Sequence, residues 1–278
     1  MISHKTKLGI AFLGPKGTYS EDAVKKKYGN SIKKNPTTTI QEVFRAVVNN
    51  DSNYGIVPIE NSTEGPINTT LDCLGTHDIL VCGEIEVAIH HNLMGLNKTL
   101  PNNDFVIHAH EQSFSQCKSW LDDYCPNAKR VTVISNAQAA LNAQKDNKIL
   151  AIAGKLAANK YGLEIIRTNI EDYSGNTTRF VCVGYEDMDM TGKDKTSIII
   201  TTKNVSGALY DVLRPIKENN LNLTHITYRP SKINKWNYSF FLDFEGHKED
   251  LKVKSLLKQL NKIGLELKFL GSYPKGVS

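Results

Sequence analysis

Two hydrophobic periodicities take turns along this chain. Ile40, Val43, Phe44, Val47 and Val48 recur at i, i+3, i+4, i+7 and i+8, one apolar face of a helix. Trp236, Tyr238, Phe240, Leu242 and Phe244 recur at every second position, the period of a strand. Short apolar runs at 7–13, 54–59, 105–109, 131–134, 149–153 and 164–168 predict strands. Between them lie helical patterns: 18 to about 28, 40–48, 65–74, 137–144, 155–161, and a helix after Ala109 with Phe114, Cys117, Trp120 and Leu121 on one face. This is the βαβα pattern of a mainly parallel sheet covered by helices. Ile79 to Leu93 is a longer apolar stretch, a strand or strand pair that passes from one half of a domain to another.

Tyr185 to Asp194 is polar and predicts a linker. Beyond it the order changes: strand 196–202, helix 207–217, strand 221–228, strand 236–244, helix 251–263, strand 265–270. That β-α-β-β-α-β order is ferredoxin-like.

Length and composition narrow the function. The chain has 278 residues, 40% hydrophobic and 23% charged, ordinary for a globular protein of one large or two to three modest domains. No apolar run is long enough to span a bilayer, and Met1 to Lys7 lacks the apolar core of a secretory signal, so a cytoplasmic location without membrane association is expected. The net charge of +5 is mild, and Lys25-Lys26-Lys27 falls within a predicted helix. A nucleic-acid binder would concentrate more charge. Five cysteines without a Cys-x-x-Cys predict reduced, buried thiols. His90-His91 and His108/His110 lack the H-E-x-x-H spacing, so no metal site is expected. No G-x-S-x-G is present.

Four polar stretches carry the candidate chemistry. Ser174-Gly175-Asn176-Thr177-Thr178-Arg179-Phe180 places an amide, hydroxyls and a guanidinium just before an apolar strand. Gly14-Pro15-Lys16-Gly17-Thr18-Tyr19-Ser20 is a strand–glycine loop–helix corner, with Thr18 and Glu21 spaced as a capping box. Such a corner is compatible with a simple cap or with an anion site. It is neither a Walker A loop nor G-x-G-x-x-G. Glu60-Asn61-Ser62 follows a strand's carboxyl end, where open α/β sheets bind ligands. His110 to Cys117 is the fourth.

Together, and in this order, these stretches resemble the prephenate dehydratase signature over about residues 7–184, and the remainder resembles an ACT domain. The likeness is to the monofunctional bacterial architecture, since a fused chorismate mutase would need a long helical N-terminal segment. It implies an α/β catalytic domain of two lobes, similar to type II periplasmic binding proteins. Lobe 1 would comprise about 7–87 and 170–184 and lobe 2 about 88–169, with chain crossings near Ala88 and Asn169. A linker at 185–194 and a ferredoxin-like βαββαβ ACT domain at 195–275 would follow.

Residue by residue, the resemblance gives Thr178, Asn61 and Gln116 as catalytic. It gives Thr18, Tyr19, Ser20, Glu60, Ser62, Arg179 and Phe180 as substrate-binding. In the ACT part it gives Asn204, Gly207, Ala208, Leu209, Arg229 and Pro230 as binding L-phenylalanine. Two departures stand out. Ala109 occupies a usual Ser/Thr position, and Thr227-Tyr228-Arg229-Pro230 replaces E-S-R-P. The implied reaction removes a hydroxyl and CO2 from prephenate to give phenylpyruvate, and aromatisation drives it without metal or cofactor. It needs a donor at the departing hydroxyl, for which Thr178 is the candidate, and anchors for two carboxylates, for which Arg179, Thr18 and loop amides are candidates. Arogenate dehydration and a non-catalytic amino-acid sensor are the alternatives. Pairing of ACT domains implies a homodimer or homotetramer.

Overall fold

The computed structural model describes residues 9–100, 105–231, 237–264 and 266–276. Lys7, Trp236 and Leu265, each expected to begin a strand, lie outside the described residues.

The first lobe begins β1 (Gly9–Leu13), α1 (Tyr19–Tyr28), β2 (Lys33–Thr37), α2 (Ile40–Val48), β3 (Tyr54–Asn61), β4 (Gly65–Pro66), α3 (Asn68–Thr76) and β5 (Leu80–Ala88). The chain then crosses to β6 (Asn92–Gly95), β7 (Val106–Ala109), α4 (Glu111–Gln116), α5 (Lys118–Tyr124), β8 (Lys129–Thr132), α6 (Asn136–Lys145), β9 (Ile149–Ala153), α7 (Lys155–Tyr161) and β10 (Glu164–Arg167). It returns as β11 (Thr177–Gly184). A third unit follows: β12 (Asp194–Thr202), α8 (Ala208–Glu218), β13 (Leu223–Pro230), β14 (Tyr238–Glu245), α9 (Leu251–Ile263) and β15 (Glu266–Pro274).

Strand pairing divides these elements into three sheets. The first has the order β2-β1-β3-β11-β5 with β4 beside β3, the second β10-β6-β9-β7-β8, and the third β13-β14-β12-β15. Two crossings, at 89–91 and 168–176, therefore join two α/β lobes in the periplasmic-binding-protein-like manner, and the third sheet has ferredoxin-like order. The two lobe sheets are mixed rather than mainly parallel, and the third is antiparallel throughout. β1 runs parallel to β2 and β3, whereas β11 runs antiparallel to both β3 and β5. The reason is topological: β11 re-enters lobe 1 from the other lobe, at the cleft end of the sheet.

Local chemistry explains several helix starts. Thr18 caps α1 by accepting from the Glu21 amide, and the Glu21 carboxylate accepts from the Gly17 amide at 2.7 Å. Thr39 and Ser135 cap α2 and α6 in the same way. The helix expected after Ala109 is two short helices broken at Cys117, whose buried side chain packs with Leu121 and Ile107.

The first sheet is apolar on both faces. On one side Ile10, Phe12, Ile56, Ile85 and Phe180 pack with Ala23 and Val24 of α1. On the other, Val57, Val181 and Val183 pack with Val43 and Phe44 of α2 and Leu74 of α3. This second cluster runs on into Ile199, Phe241, Leu270 and Tyr273 of the third sheet, so lobe 1 and the third unit share one core. β15 lies directly on β5. A Cβ on Gly271 would stand 2.3 Å from the Val81 carbonyl oxygen, and Gly271 holds φ at +142°. The far face of the third sheet is covered by α8 and α9 through Val212, Ile216, Val253, Leu256 and Leu260.

Candidate active site

Strand register brings the two most informative motifs together. β11 pairs with β3 so that Thr178 stands opposite Asn61. Residues separated by about 117 positions in sequence thereby become cross-strand neighbours at the cleft end of the first sheet.

The Asn61 side chain has a determined orientation. Its Oδ1 accepts from the Thr63 amide (3.1 Å), the Thr63 hydroxyl (2.7 Å) and the Glu64 amide (3.1 Å). Backbone amides can only donate, so the atom they meet is the oxygen. Asn61 Nδ2 therefore donates, at 2.9 Å to Thr178 Oγ1 and at 2.8 Å to Asn176 Oδ1. Thr178 receives this hydrogen bond, and its own hydroxyl hydrogen is not consumed by Asn61.

The chain of amides continues across the cleft floor into lobe 2. Asn176 Nδ2 donates to Gln116 Oε1 at 3.2 Å. The same oxygen lies 2.8 Å from His91 Nε2, so that nitrogen carries the hydrogen. Burial lowers the pKa of His91, with the Gln116 hydrogen bond and Glu171 opposing, and the ring is neutral near pH 7. The Glu171 carboxylate accepts from the His91 amide and meets His90 Nδ1, both at 2.8 Å. Tyr19 closes the floor, its hydroxyl donating to the His90 carbonyl at 2.7 Å.

These residues lie in a cleft of about 280 Å³ between the lobes. Leu13, Pro58, Ile67, Ile89, Ile134 and Phe180 form its apolar surface. None of its described lining residues is Lys, Arg, Asp or Glu. Positive potential comes instead from helix ends. Tyr19 and Ser20 in the first turn of α1, and Asn136 and Ala137 in the first turn of α6, line the cleft. First-turn amides have no intrahelical acceptor and favour an anion. Ser113 also faces it, accepting from Asn136 Nδ2 at 2.7 Å.

Of the residues the sequence singled out, Thr178, Asn61, Gln116, Thr18, Tyr19, Ser20 and Phe180 line this cleft. Glu60, Ser62 and Arg179 do not. Alternation along β3 and β11 turns Glu60 and Arg179 to the opposite face of the sheet. Glu60 meets His225 of β13 at 3.2 Å, a hydrogen bond that, against partial burial, holds its carboxyl below the usual range. The Arg179 guanidinium meets Glu84 at 2.8 Å and Asp243 at 2.6 Å, 8% exposed, and is no carboxylate anchor for the cleft. Ser62 staples the strand ends: its Oγ accepts from the Thr177 amide at 2.9 Å and its amide donates to the Thr177 carbonyl at 2.8 Å. Ala109 lies fully buried in the lobe 2 core, away from the cleft lining. The hydroxyl expected there therefore leaves no gap in the cleft wall, which carries Ser113.

His91, Asn176 and Asn136 are cleft residues that sequence reasoning did not assign to the site, whereas Ser113 is the neighbour of the motif whose hydroxyl could stand in for the one missing at Ala109. Asn176 sat inside the quoted motif, and His91 in a His-His pair weighed only as a metal site. Among the described residues no group of three or more His, Cys, Asp or Glu comes together in a metal-binding arrangement.

A second cavity, about 230 Å³, lies between α3 and the third sheet. Arg229 and Pro230 line it, and Arg229 holds Asp72 through both Nε (3.0 Å) and Nη2 (3.2 Å). Asn204, Gly207, Ala208 and Leu209 do not line it. They form the loop after β12 and the start of α8, where Gly207 takes φ +82°. Both groups belong to the same end of the sheet, since Thr201 pairs with Ser239 and Ser239 with Arg229.

A two-lobed α/β body with an uncharged polar cleft, and a ferredoxin-like sheet docked on one lobe, defines a small-molecule enzyme carrying an appended regulatory domain. Comparison with known sequences names both parts: the prephenate dehydratase family profile matches residues 10–188 and the ACT domain profile residues 196–262. The chain belongs to the prephenate dehydratase family, hydro-lyases, and carries a C-terminal ACT domain. It is 46% identical over 270 residues to the bifunctional chorismate mutase/prephenate dehydratase of Stutzerimonas stutzeri, covering 97% of this chain and 74% of that protein. It is 38% identical over 272 residues to the prephenate dehydratase of Methanocaldococcus jannaschii, covering 95% and 97%. The structure of the prephenate dehydratase from Arthrobacter aurescens in complex with L-Phe superposes with a TM-score of 0.88 at 30% identity, covering 96% of this chain and 90% of that one.

Proposed function

We propose that this chain converts prephenate to phenylpyruvate, water and CO2, with Thr178 as the donor at the departing hydroxyl. The observation that carries the reading is the Asn61 Nδ2 to Thr178 Oγ1 hydrogen bond, which leaves the threonine hydrogen available to the cleft. In the proposed step the C–O bond to the ring hydroxyl breaks and that oxygen takes a proton through Thr178. The bond to the ring carboxylate breaks as well, and its electron pair completes the aromatic ring. A positioned acid accounts for about 10²- to 10⁴-fold in rate. Asn61 orients Thr178 rather than the substrate, since its own donors and acceptor are all engaged, and Gln116 orients the substrate, neither adding charge. The Thr18 hydroxyl, expected as an anchor, is spent on the Leu13 carbonyl and the Glu21 amide; Ser20, Ser113 and the first-turn amides of α1 and α6 hold the carboxylates, and Ile67, Ile134 and Phe180 face the ring.

The absence of Asp and Glu from the described cleft lining favours prephenate over arogenate. An ammonium in this cleft would meet helix N-termini and no carboxylate, which is unfavourable. We assign residues 7–184 to the catalytic part, 185–194 to the linker and 195–275 to the regulatory part. L-phenylalanine is proposed to act at the end of the ACT sheet that carries Asn204, Gly207, Ala208, Leu209, Arg229 and Pro230. Exposed Ile226 and Tyr228 on edge strand β13 support pairing of two copies through this sheet. Five buried free thiols, and no helix of the described residues able to cross a membrane, fit a cytoplasmic location.

The test is product formation by the purified chain. Phenylpyruvate should form from prephenate with a kcat/KM at least about 10-fold above that for arogenate, a difference of ~1.4 kcal/mol, and should fall on adding L-phenylalanine. No turnover of either compound would reject the reading in favour of a non-catalytic sensor.

A further inference from the structure

Arg179 follows the proposed acid directly in sequence, yet its side chain belongs to a different part of the molecule. Thr178 turns into the cleft. Arg179 turns through the sheet and is buried where lobe 1 meets the ACT domain. Its Nε donates to Glu84 of β5 at 2.8 Å, and its Nη2 meets Asp243 of β14 at 2.6 Å and the Tyr273 hydroxyl of β15 at 3.2 Å. Lys195 of β12 approaches the same Glu84 at 2.8 Å. Two carboxylates, one from β5 of lobe 1 and one from β14 of the ACT sheet, thus close around the guanidinium with the Tyr273 hydroxyl, and Lys195 of β12 shares the first of them. Ser197 fixes the ACT side, meeting both Asp243 Oδ1 and the Tyr273 hydroxyl at 2.6 Å.

The geometry around this cluster is directional. Ser239, Phe241 and Asp243 alternate onto one face of β14. The first two line the cavity between α3 and the ACT sheet, and the third holds Arg179. The pairing of β11 with β3 shifts register between Arg179 and Phe180, so the strand is irregular beside the residue that the ACT domain grips. A change in how the ACT sheet sits would reach β11 at an irregular point, one residue from Thr178.

We propose that Arg179 is a positioning residue for the reaction: by clamping β11 to Asp243 and Tyr273 of the ACT sheet it sets the placement of Thr178, and it is the link through which that sheet alters turnover. Arg179 does not touch the cleft, so its loss alters kcat rather than substrate affinity. This inference rests on the dehydratase reading given above.

The test uses the full chain and conservative changes on the ACT side. Tyr273→Phe removes one oxygen and keeps the ring in the shared core, and Asp243→Asn keeps shape while removing charge. Each should lower kcat for prephenate about 3- to 10-fold, with KM within about 2-fold, and should reduce the response to L-phenylalanine, as for loss of one partner of a charge-assisted hydrogen bond. Arg179→Lys should restore more kcat than Arg179→Gln. If wild-type protein turns over prephenate and both ACT-side variants, folded by circular dichroism, keep wild-type kcat, the inference is wrong while the function stands. A KM rise matching the fall in kcat would also reject it, because the cleft itself would then have changed. No turnover by wild-type protein would reject the function instead.

Discussion

Asn61 donates to Thr178 across the β3–β11 pair at 2.9 Å, and it does so because three donors from Thr63 and Glu64 occupy its own oxygen. The consequence is chemical direction. The hydroxyl of Thr178 accepts from Asn61 and keeps its own hydrogen at the wall of the cleft.

Thr178→Ala should therefore lower kcat for phenylpyruvate formation by about 10²- to 10⁴-fold with little change in KM. Thr178→Ser, which keeps the hydroxyl, should retain most of the activity. An alanine variant with near wild-type turnover would remove Thr178 from the chemistry.

Asn61→Asp separates orientation from shape. The carboxylate can keep all three donors from Thr63 and Glu64, so the loop should stay folded. It cannot donate to Thr178, and the threonine hydrogen would turn toward it instead. The expected loss is about 10²- to 10³-fold in kcat, the scale of removing one preorganised donor. Lost turnover in a variant that circular dichroism shows to be folded is the signature to look for.

His91 makes the acid side of the stability profile predictable. Burial lowers its pKa in the folded chain, whereas in the unfolded chain it titrates near about 6.5. Below that pH the unfolded state holds more protons, so stability falls as pH drops from about 6.5 toward 5, by up to ~1.4 kcal/mol per pH unit for this one group. His108, also lowered by burial, acts in the same sense. Glu60 and Glu84, both held below the usual carboxylate range, add their loss only under about pH 4.3. His91→Leu should flatten part of the pH 6.5 to 5 slope in chemical denaturation. It should also lower kcat about 3- to 10-fold, because Gln116 Oε1 loses one of its two donors.

Gly271→Ala should loosen the docking of the ACT sheet on lobe 1. The new methyl would meet the Val81 carbonyl, and the backbone there has φ +142°. A destabilisation of about 1–3 kcal/mol is expected from overpacking. Two resolved thermal transitions in place of one would indicate that the domains had come apart. Wild-type melting would mean that β15 does not lie this close to β5.

Pattern and motif were most informative where a residue's neighbours in sequence are also its neighbours in space. The amphipathic run from Ile40 to Val48 forms α2, Leu251 to Ile263 forms α9, and Thr18 and Glu21 sit at the start of α1 as their spacing suggests. The β-α-β-β-α-β order needed only this local information. Elements without an apolar signature were invisible: Lys33-Lys34-Asn35-Pro36-Thr37 forms edge strand β2 because β1 offers it a partner, not because its side chains favour a strand.

The sequence by itself determined which residue types this protein has for its chemistry, the two-part order of its elements and the family to which its motifs point. Tertiary structure alone decided which of those residues meet. Thr178 and Arg179 are adjacent in one motif and looked like partners in one site, but strand alternation sends one to the cleft and the other to the ACT interface. Asn176 was one amide within a motif and His91 half of a His-His pair, yet the crossing segments set Asn176 between Asn61 and Gln116 and His91 on the far side of Gln116. Cross-strand register and chain crossing are long-range relationships, and a linear motif does not encode the face on which its residues will stand.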